Sequence, residues 1–193
     1  MTLLDGPGPG ATEVVVWDLE LTDVDRLRPG RTPDVEPVVL VAEQPAPELC
    51  RFFYEVVGEP WHWVDQRTWP AKRWAAWCDR PELHLVTCWV DGVPAGYYEF
   101  EEQGRSAEIV HFGLVERFFG RGLGGWLLTE AVRHAFATDG VDRVWLHTCS
   151  LDGPAALANY RARGFEVVRE STEWRALDGT DRGPSGAGAA SGS

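Results

Sequence analysis

The sequence predicts an α+β fold, with a mixed and mostly antiparallel sheet of about six or seven strands flanked by about four helices. Three observations carry that expectation. Residues 83–115 alternate apolar, strand-like runs with tight turns at Asp91-Gly92 and Gln103-Gly104-Arg105, which reads as a three-strand meander. A glycine-dense turn, Gly120-Arg121-Gly122-Leu123-Gly124-Gly125, then leads into an amphipathic segment. There, polar Thr129, Glu130, Arg133, His134 and Thr138 recur at helical spacing opposite a stripe of Leu127, Leu128, Ala131, Val132, Ala135 and Phe136. Strand, helix and strand patterns follow, so the glycine-loop helix is a crossover joining the meander to the rest of the sheet.

Taken in order, residues 1–12 are rich in Gly and Pro and are expected to fray as a flexible N-terminus. Val14 to Leu21 reads as a strand, and Val38 to Ala42 is a second β-branched run beyond an irregular connection. Pro45 and Pro47 open a helix over Glu48 to Val57, which Gly58-Glu59-Pro60 stops. An aromatic stretch follows, containing Trp61, His62, Trp63, Trp69, Trp74 and Trp77, with Pro70 to Cys78 helical. The meander strands are Leu83 to Val90, Val93 to Glu101 and Ala107 to Val115. Beyond the glycine-loop helix come a strand at Arg143 to Cys149, a helix at Pro154 to Arg163 capped by Gly164, and a last strand from Phe165 to Arg175. Residues 13–177 thus form one domain, and the Gly/Ser/Ala-rich residues 178–193 carry no apolar pattern and read as a disordered tail.

A chain of 193 residues with 44% hydrophobic and 25% charged residues suits a single soluble domain. Its 30 acidic against 18 basic residues give a formal charge of -12. That excludes the basic patch of a nucleic-acid binder and suits an amine-bearing partner. Cys50, Cys78, Cys88 and Cys149 are scattered, without CxxC pairs or metal-ligand spacing, and read as buried free thiols; no metal site is expected. With no signal sequence and no apolar run approaching 18 residues, a cytoplasmic protein away from membranes is expected, as a monomer or homodimer.

The glycine loop invites two readings. Glycines let the main chain approach a ligand, and a helix start aims unpaired N–H groups and a positive dipole end at it, which suits a phosphate or pyrophosphate. Gly120-x-Gly122-x-x-Gly125 also matches the dinucleotide pattern. That fingerprint needs a parallel strand before the loop and an acidic residue ending the next one, whereas here a meander precedes and His147-Thr148-Cys149 ends that strand.

From about Val38 to Arg175 the chain resembles the GNAT superfamily of acyl-CoA-dependent N-acyltransferases, on two linked motifs. The loop before Trp126-Leu127-Leu128 is similar to the superfamily's Q/R-x-x-G-x-G/A, and Ala156 to Phe165 is similar to its A-x-x-x-Y-x-x-x-G-F. Two positions depart from the pattern: Phe119 stands where Gln or Arg opens the first motif, and Gly153 stands where an Asn often precedes the second.

The resemblance implies transfer of an acetyl group from acetyl-CoA to a small-molecule amine, by direct attack and without a metal. It implies that Leu114 and Val115 hold the thioester and pantetheine arm. Gly120, Arg121, Gly122, Leu123, Gly124 and Gly125 would bind pyrophosphate, with Asn159 a further cofactor contact. Tyr160 is the implied general acid for the leaving thiolate, and Glu108 the implied base, with Glu99 and His111 in reserve. Strand alternation places Glu108 and Val110 on one face and Ile109 and His111 on the other. Trp61, Trp63 and Asp65, with Glu99, are the implied acceptor pocket, since tryptophan faces attract a cationic amine. The alternative is a non-catalytic acyl-CoA-binding module, or a protein or peptide amine as acceptor.

Overall fold

The computed structural model describes residues 2–176. Eight strands form a single sheet, β1 (Thr2–Leu4), β2 (Ala11–Leu21), β3 (Pro37–Val41), β4 (Leu83–Val90), β5 (Val93–Gln103), β6 (Ser106–Leu114), β7 (Arg143–Cys149) and β8 (Glu166–Ala176), in the order β1-β8-β2-β7-β6-β5-β4-β3. Four α-helices flank it: α1 (Pro47–Gly58), α2 (Ala71–Cys78), α3 (Leu123–Ala137) and α4 (Ala156–Ala162). The α+β class and the four helices match the sequence expectation. The extra strand is β1, which pairs Thr2–Leu4 with Trp174–Ala176, so the expected fraying of residues 1–12 is corrected there and at Ala11 and Thr12, already in β2. The expected tail, 178–193, lies outside the described residues.

Every strand pair is antiparallel except β6 with β7, which α3 joins as a crossover. The hairpin between β4 and β5 turns on Asp91 (φ 52°) and Gly92 (φ 74°), both left-handed, as a two-residue turn matched to strand twist requires. Strand β2 lies between β7 and β8, a placement its local sequence does not encode.

Alternation along β5 sorts two cores onto the two faces. Tyr98 and Phe100 join Ile109, Leu127, Leu128, Val132 and Leu146 beneath α3. Tyr97 joins Phe53, Tyr54, Val57, Trp74 and Leu85 beneath α1 and α2. Leu127 is fully buried in the first core. Leu127→Ala is expected to cost about 2–5 kcal/mol of unfolding free energy, read by urea denaturation, because the close-packed layer cannot collapse onto the void.

Packing α1 on α2 brings the Cys50 and Cys78 sulfurs side by side, a proximity that their 28-residue spacing does not show, while Cys88 and Cys149 lie apart from them.

Candidate active site

Strands β6 and β7 are paired only from Ser106↔Arg143 to Glu108↔Trp145, yet β6 runs on to Leu114 and β7 to Cys149. The sheet therefore splays open, and a cavity of about 890 Å³ occupies the gap. Its floor is the glycine loop. Gly120 (φ 75°) and Gly122 (φ 77°) hold left-handed conformations that ordinary side chains disfavour, and Gly122 caps α3. Leu123 follows as the first helical residue, so Gly124 and Gly125 lie in the first turn, where backbone N–H groups have no helical partner.

The loop is braced from outside the motif. Gly30 N–H donates to Thr129 Oγ1 (2.8 Å), which donates to Gly125 O (2.8 Å), and Asp34 N–H donates to Arg121 O (3.0 Å). Arg31 lays its guanidinium against Gly122 while chelating Asp34 at 2.6 and 2.9 Å. Arg163 Nη1 occupies the place a Gly125 side chain would take, and its buried Nε has no hydrogen-bond partner. A bare-backbone turn at a helix start fits a diphosphate, with Arg163 behind it and the charge of Arg31 already met by Asp34. Sequence reasoning missed Arg31, which lies far from the motif, and Arg163, whose approach depends on Gly125 lacking a side chain.

Above the loop, Tyr160 lines the cavity from α4, its ring near Phe112 and Phe165. Burial raises its hydroxyl pKa, with Asp152 adding to the effect, so the phenol stays protonated and able to donate. Asp152 fixes the loop before α4 by accepting from Thr148 Oγ1 (2.6 Å) and Cys149 N–H (2.9 Å).

The opposite wall corrects the alternation argument. Phe100 pairs with Ile109 and Glu99 with His111, so Val110 is an extra residue, a β-bulge. Beyond the bulge the faces exchange. Glu108 and His111 share the face of Glu101 and Glu99, while Ile109 belongs to the α3 core. Both lie in the cavity wall.

Each of those two residues has a charged partner. Glu108 accepts from Gln103 Nε2 at 2.8 Å and faces His147 Nδ1 at 3.3 Å, a contact that raises the His147 pKa. His111 Nδ1 stands 2.6 Å from Glu99 Oε2, and its Nε2 is 3.4 Å from Gln66 Nε2. Because Glu99 is 1% exposed and also receives the Trp77 indole N–H (3.3 Å), it is held firmly behind the imidazole. With the Nδ1 proton directed at Glu99, Nε2 is the acceptor, and the Gln66 amide N–H stands against it. Tyr54, Trp63, Trp77 and Tyr97 ring the imidazole at centroid distances of 5.3, 5.4, 5.8 and 6.3 Å.

Of the residues expected from sequence, the cavity gathers Leu114, Gly120, Gly122, Gly124, Gly125, Asn159, Tyr160, Glu108, Trp61, Trp63 and Asp65. Leu123 is instead buried in the core, Val115 packs between the two cores, and the exposed Arg121 extends over the Phe118 ring. Glu99 does not line the cavity itself but holds His111 and Trp77, which do.

The model of the acetyltransferase (GNAT) family matches residues 49–165, more than half the chain. The chain belongs to the GNAT acetyltransferase family. Known structures share the fold of this GNAT chain. A functionally unknown conserved protein from Staphylococcus epidermidis has a TM-score of 0.62 at 16% identity, over 86% of this chain and 62% of its own. A GCN5-related N-acetyltransferase from Kribbella flavida scores 0.59 at 20% identity, over 86% and 59%. Another from Sphaerobacter thermophilus scores 0.59 at 21% identity, over 91% and 55%. The chain thus spans about six-tenths of the length of these relatives. No curated protein matches it. Among the described residues, no helix is long and apolar enough to cross a membrane.

Proposed function

We propose that this GNAT chain moves an acetyl group from acetyl-CoA to the primary amine of a small molecule by direct transfer. The observation that carries the reading is the splay between β6 and β7, which opens one cavity onto the glycine loop, Tyr160 and the His111–Glu99 pair. Acetyl-CoA supplies the activated thioester when bound. The amides of the Gly122–Gly125 turn hold its diphosphate, assisted by Arg163, and the splayed edge of β6 at Phe112–Leu114 guides the arm.

The acceptor amine must arrive without its proton. The amine displaces the Gln66 amide from His111 Nε2, which takes that proton, and Glu99 holds the ring in the required tautomer and stabilises the imidazolium that results. Glu108, the base implied by resemblance, is turned toward Gln103 and His147, so it serves better as a second polar wall. The Trp63, Tyr54 and Trp77 rings around His111 offer an aromatic seat to a cationic or apolar amine. Tyr160 gives its proton to the departing sulfur, the role that its raised pKa permits.

The test is release of thiol from acetyl-CoA across a panel of small amines. Tyr160→Phe is expected to lower kcat roughly 10²-fold or more while leaving the KM for acetyl-CoA nearly unchanged, since the hydroxyl acts only as the thiolate departs. Turnover of every amine at the background rate, with CoA still bound, would instead identify a non-catalytic acyl-CoA-binding module.

A further inference from the structure

The two departures from the family pattern, Phe119 and Gly153, meet in the fold on one side chain. The Trp61 indole stacks on Phe119, with ring centroids 6.1 Å apart and planes 28° from parallel. The far edge of the same indole rests on Gly153. A Cβ at that position would stand 3.1 Å from Cη2 and 3.2 Å from Cζ2, closer than the ring tolerates without shifting. Phe119 thus gives the ring a stacking partner, and glycine at 153 spares it the shift that a Cβ would force.

The backbone that delivers Trp61 is equally specific. A short 3-10 turn, Glu59–Trp61, ends α1, and His62 follows at φ 60°, a left-handed conformation uncommon for any residue but glycine. That reversal sends the neighbouring rings to different places. Trp63 turns inward against Gly58, Tyr54 and His111. Trp61 reaches outward to the loops that follow β6 and β7, the two lips of the splay. Trp61, Phe119 and Gly153 all border the same cavity.

We propose that Trp61 is a strap across the acyl-CoA channel, joining its two lips, and not part of the acceptor pocket. The inference rests on the acyl-CoA reading above. The pantetheine arm threads beneath the indole, whose apolar face covers it and keeps water from the thioester. The ring must lift from Phe119 and Gly153 whenever CoA enters or leaves, so its seat sets the exchange rate.

The test uses the full chain with CoA and acetyl-CoA, and no amine. Trp61→Ala removes the ring, whereas Gly153→Val keeps all ten tryptophans and unseats it. Both are expected to speed CoA dissociation, followed by stopped-flow tryptophan emission, by roughly tenfold, the scale of one lost aromatic contact. Both should also raise thiol release in the absence of amine. In that reaction water attacks the thioester carbonyl, the carbon–sulfur bond breaks and the sulfur takes a proton, yielding acetate and CoA. Thermal melting checks folding, and if one variant does not fold the other decides. Wild-type dissociation and wild-type hydrolysis in a folded variant would overturn the strap. Failure of the wild-type chain to bind CoA would instead overturn the acyl-CoA reading beneath it.

Discussion

Gly122→Val is expected to weaken CoA binding at least 100-fold by calorimetry while the chain still folds, because three effects act at one position. The residue sits at φ 77°, where a β-branched side chain costs about 1–2 kcal/mol or more in backbone strain. Its new Cβ would meet Arg31 Cζ at 2.7 Å and displace a guanidinium that flanks the loop. The branched side chain would also fill the space through which the first turn of α3 presents its amides. Two companion variants separate these effects. Gly120→Ala carries the strain alone, since its φ is 75° and nothing lies within 4 Å of its Cβ position. Gly124→Ala carries neither, meeting only Leu114 Cδ1 at 3.6 Å, and should leave affinity as it is. Wild-type affinity in Gly122→Val would show that the diphosphate does not lie on this turn.

What sequence could show of this site follows from how local each feature is. The strand, glycine turn and helix are written in consecutive residues, so periodicity and glycine chemistry found them together. The same holds for the Asp91-Gly92 hairpin, where both residues tolerate positive φ. The bulge at Val110 has no such mark: neither a glycine nor a proline stands there, and the extra residue is visible only against its partners on β5. That single residue brought His111 onto the face of Glu108 and against Glu99, and so offered a second base beside the first. Long-range pairing was equally hidden. Strand β1 needs residues 174–176 to define it, and Cys50 needs the packing of α2 to meet Cys78.

The tryptophans show the same limit from another side. Six tryptophan and histidine side chains within 61–77 read as one aromatic cluster, and composition offers no reason to separate them. The left-handed turn at His62 separates Trp61 from Trp63, and the separation gives each a different neighbour: the loop lips for one, the His111–Glu99 pair for the other. Charge behaved in a similar way. A formal charge of -12 suggested acidic recognition of an amine, yet several cavity carboxylates are already engaged. Glu101 is bound by Arg80 at 2.7 Å, Glu108 by Gln103, and Asp152 by Thr148. Aromatic faces and an oriented imidazole are left to meet the acceptor.

Replacing that imidazole should therefore have the largest effect on chemistry. His111→Asn is expected to lower kcat by roughly 10²–10⁴-fold, the range for losing a positioned general base, with little change in the KM for acetyl-CoA. Glu99→Gln should lower kcat less, because Glu99 reaches the substrate only through the ring, and Glu99→Asp should restore part of the loss. A structural role alone would not distinguish these from any core defect, so the second readout is ¹⁵N NMR of the histidine side chains. Wild-type His111 should show the Nδ1-protonated tautomer that the 2.6 Å contact to Glu99 enforces, and Glu99→Gln should mix the tautomers. Unimpaired turnover by His111→Asn would remove the imidazole from the mechanism. If Glu108→Gln then abolished turnover, the proton would pass instead to the carboxylate beside His147, on the other side of the bulge.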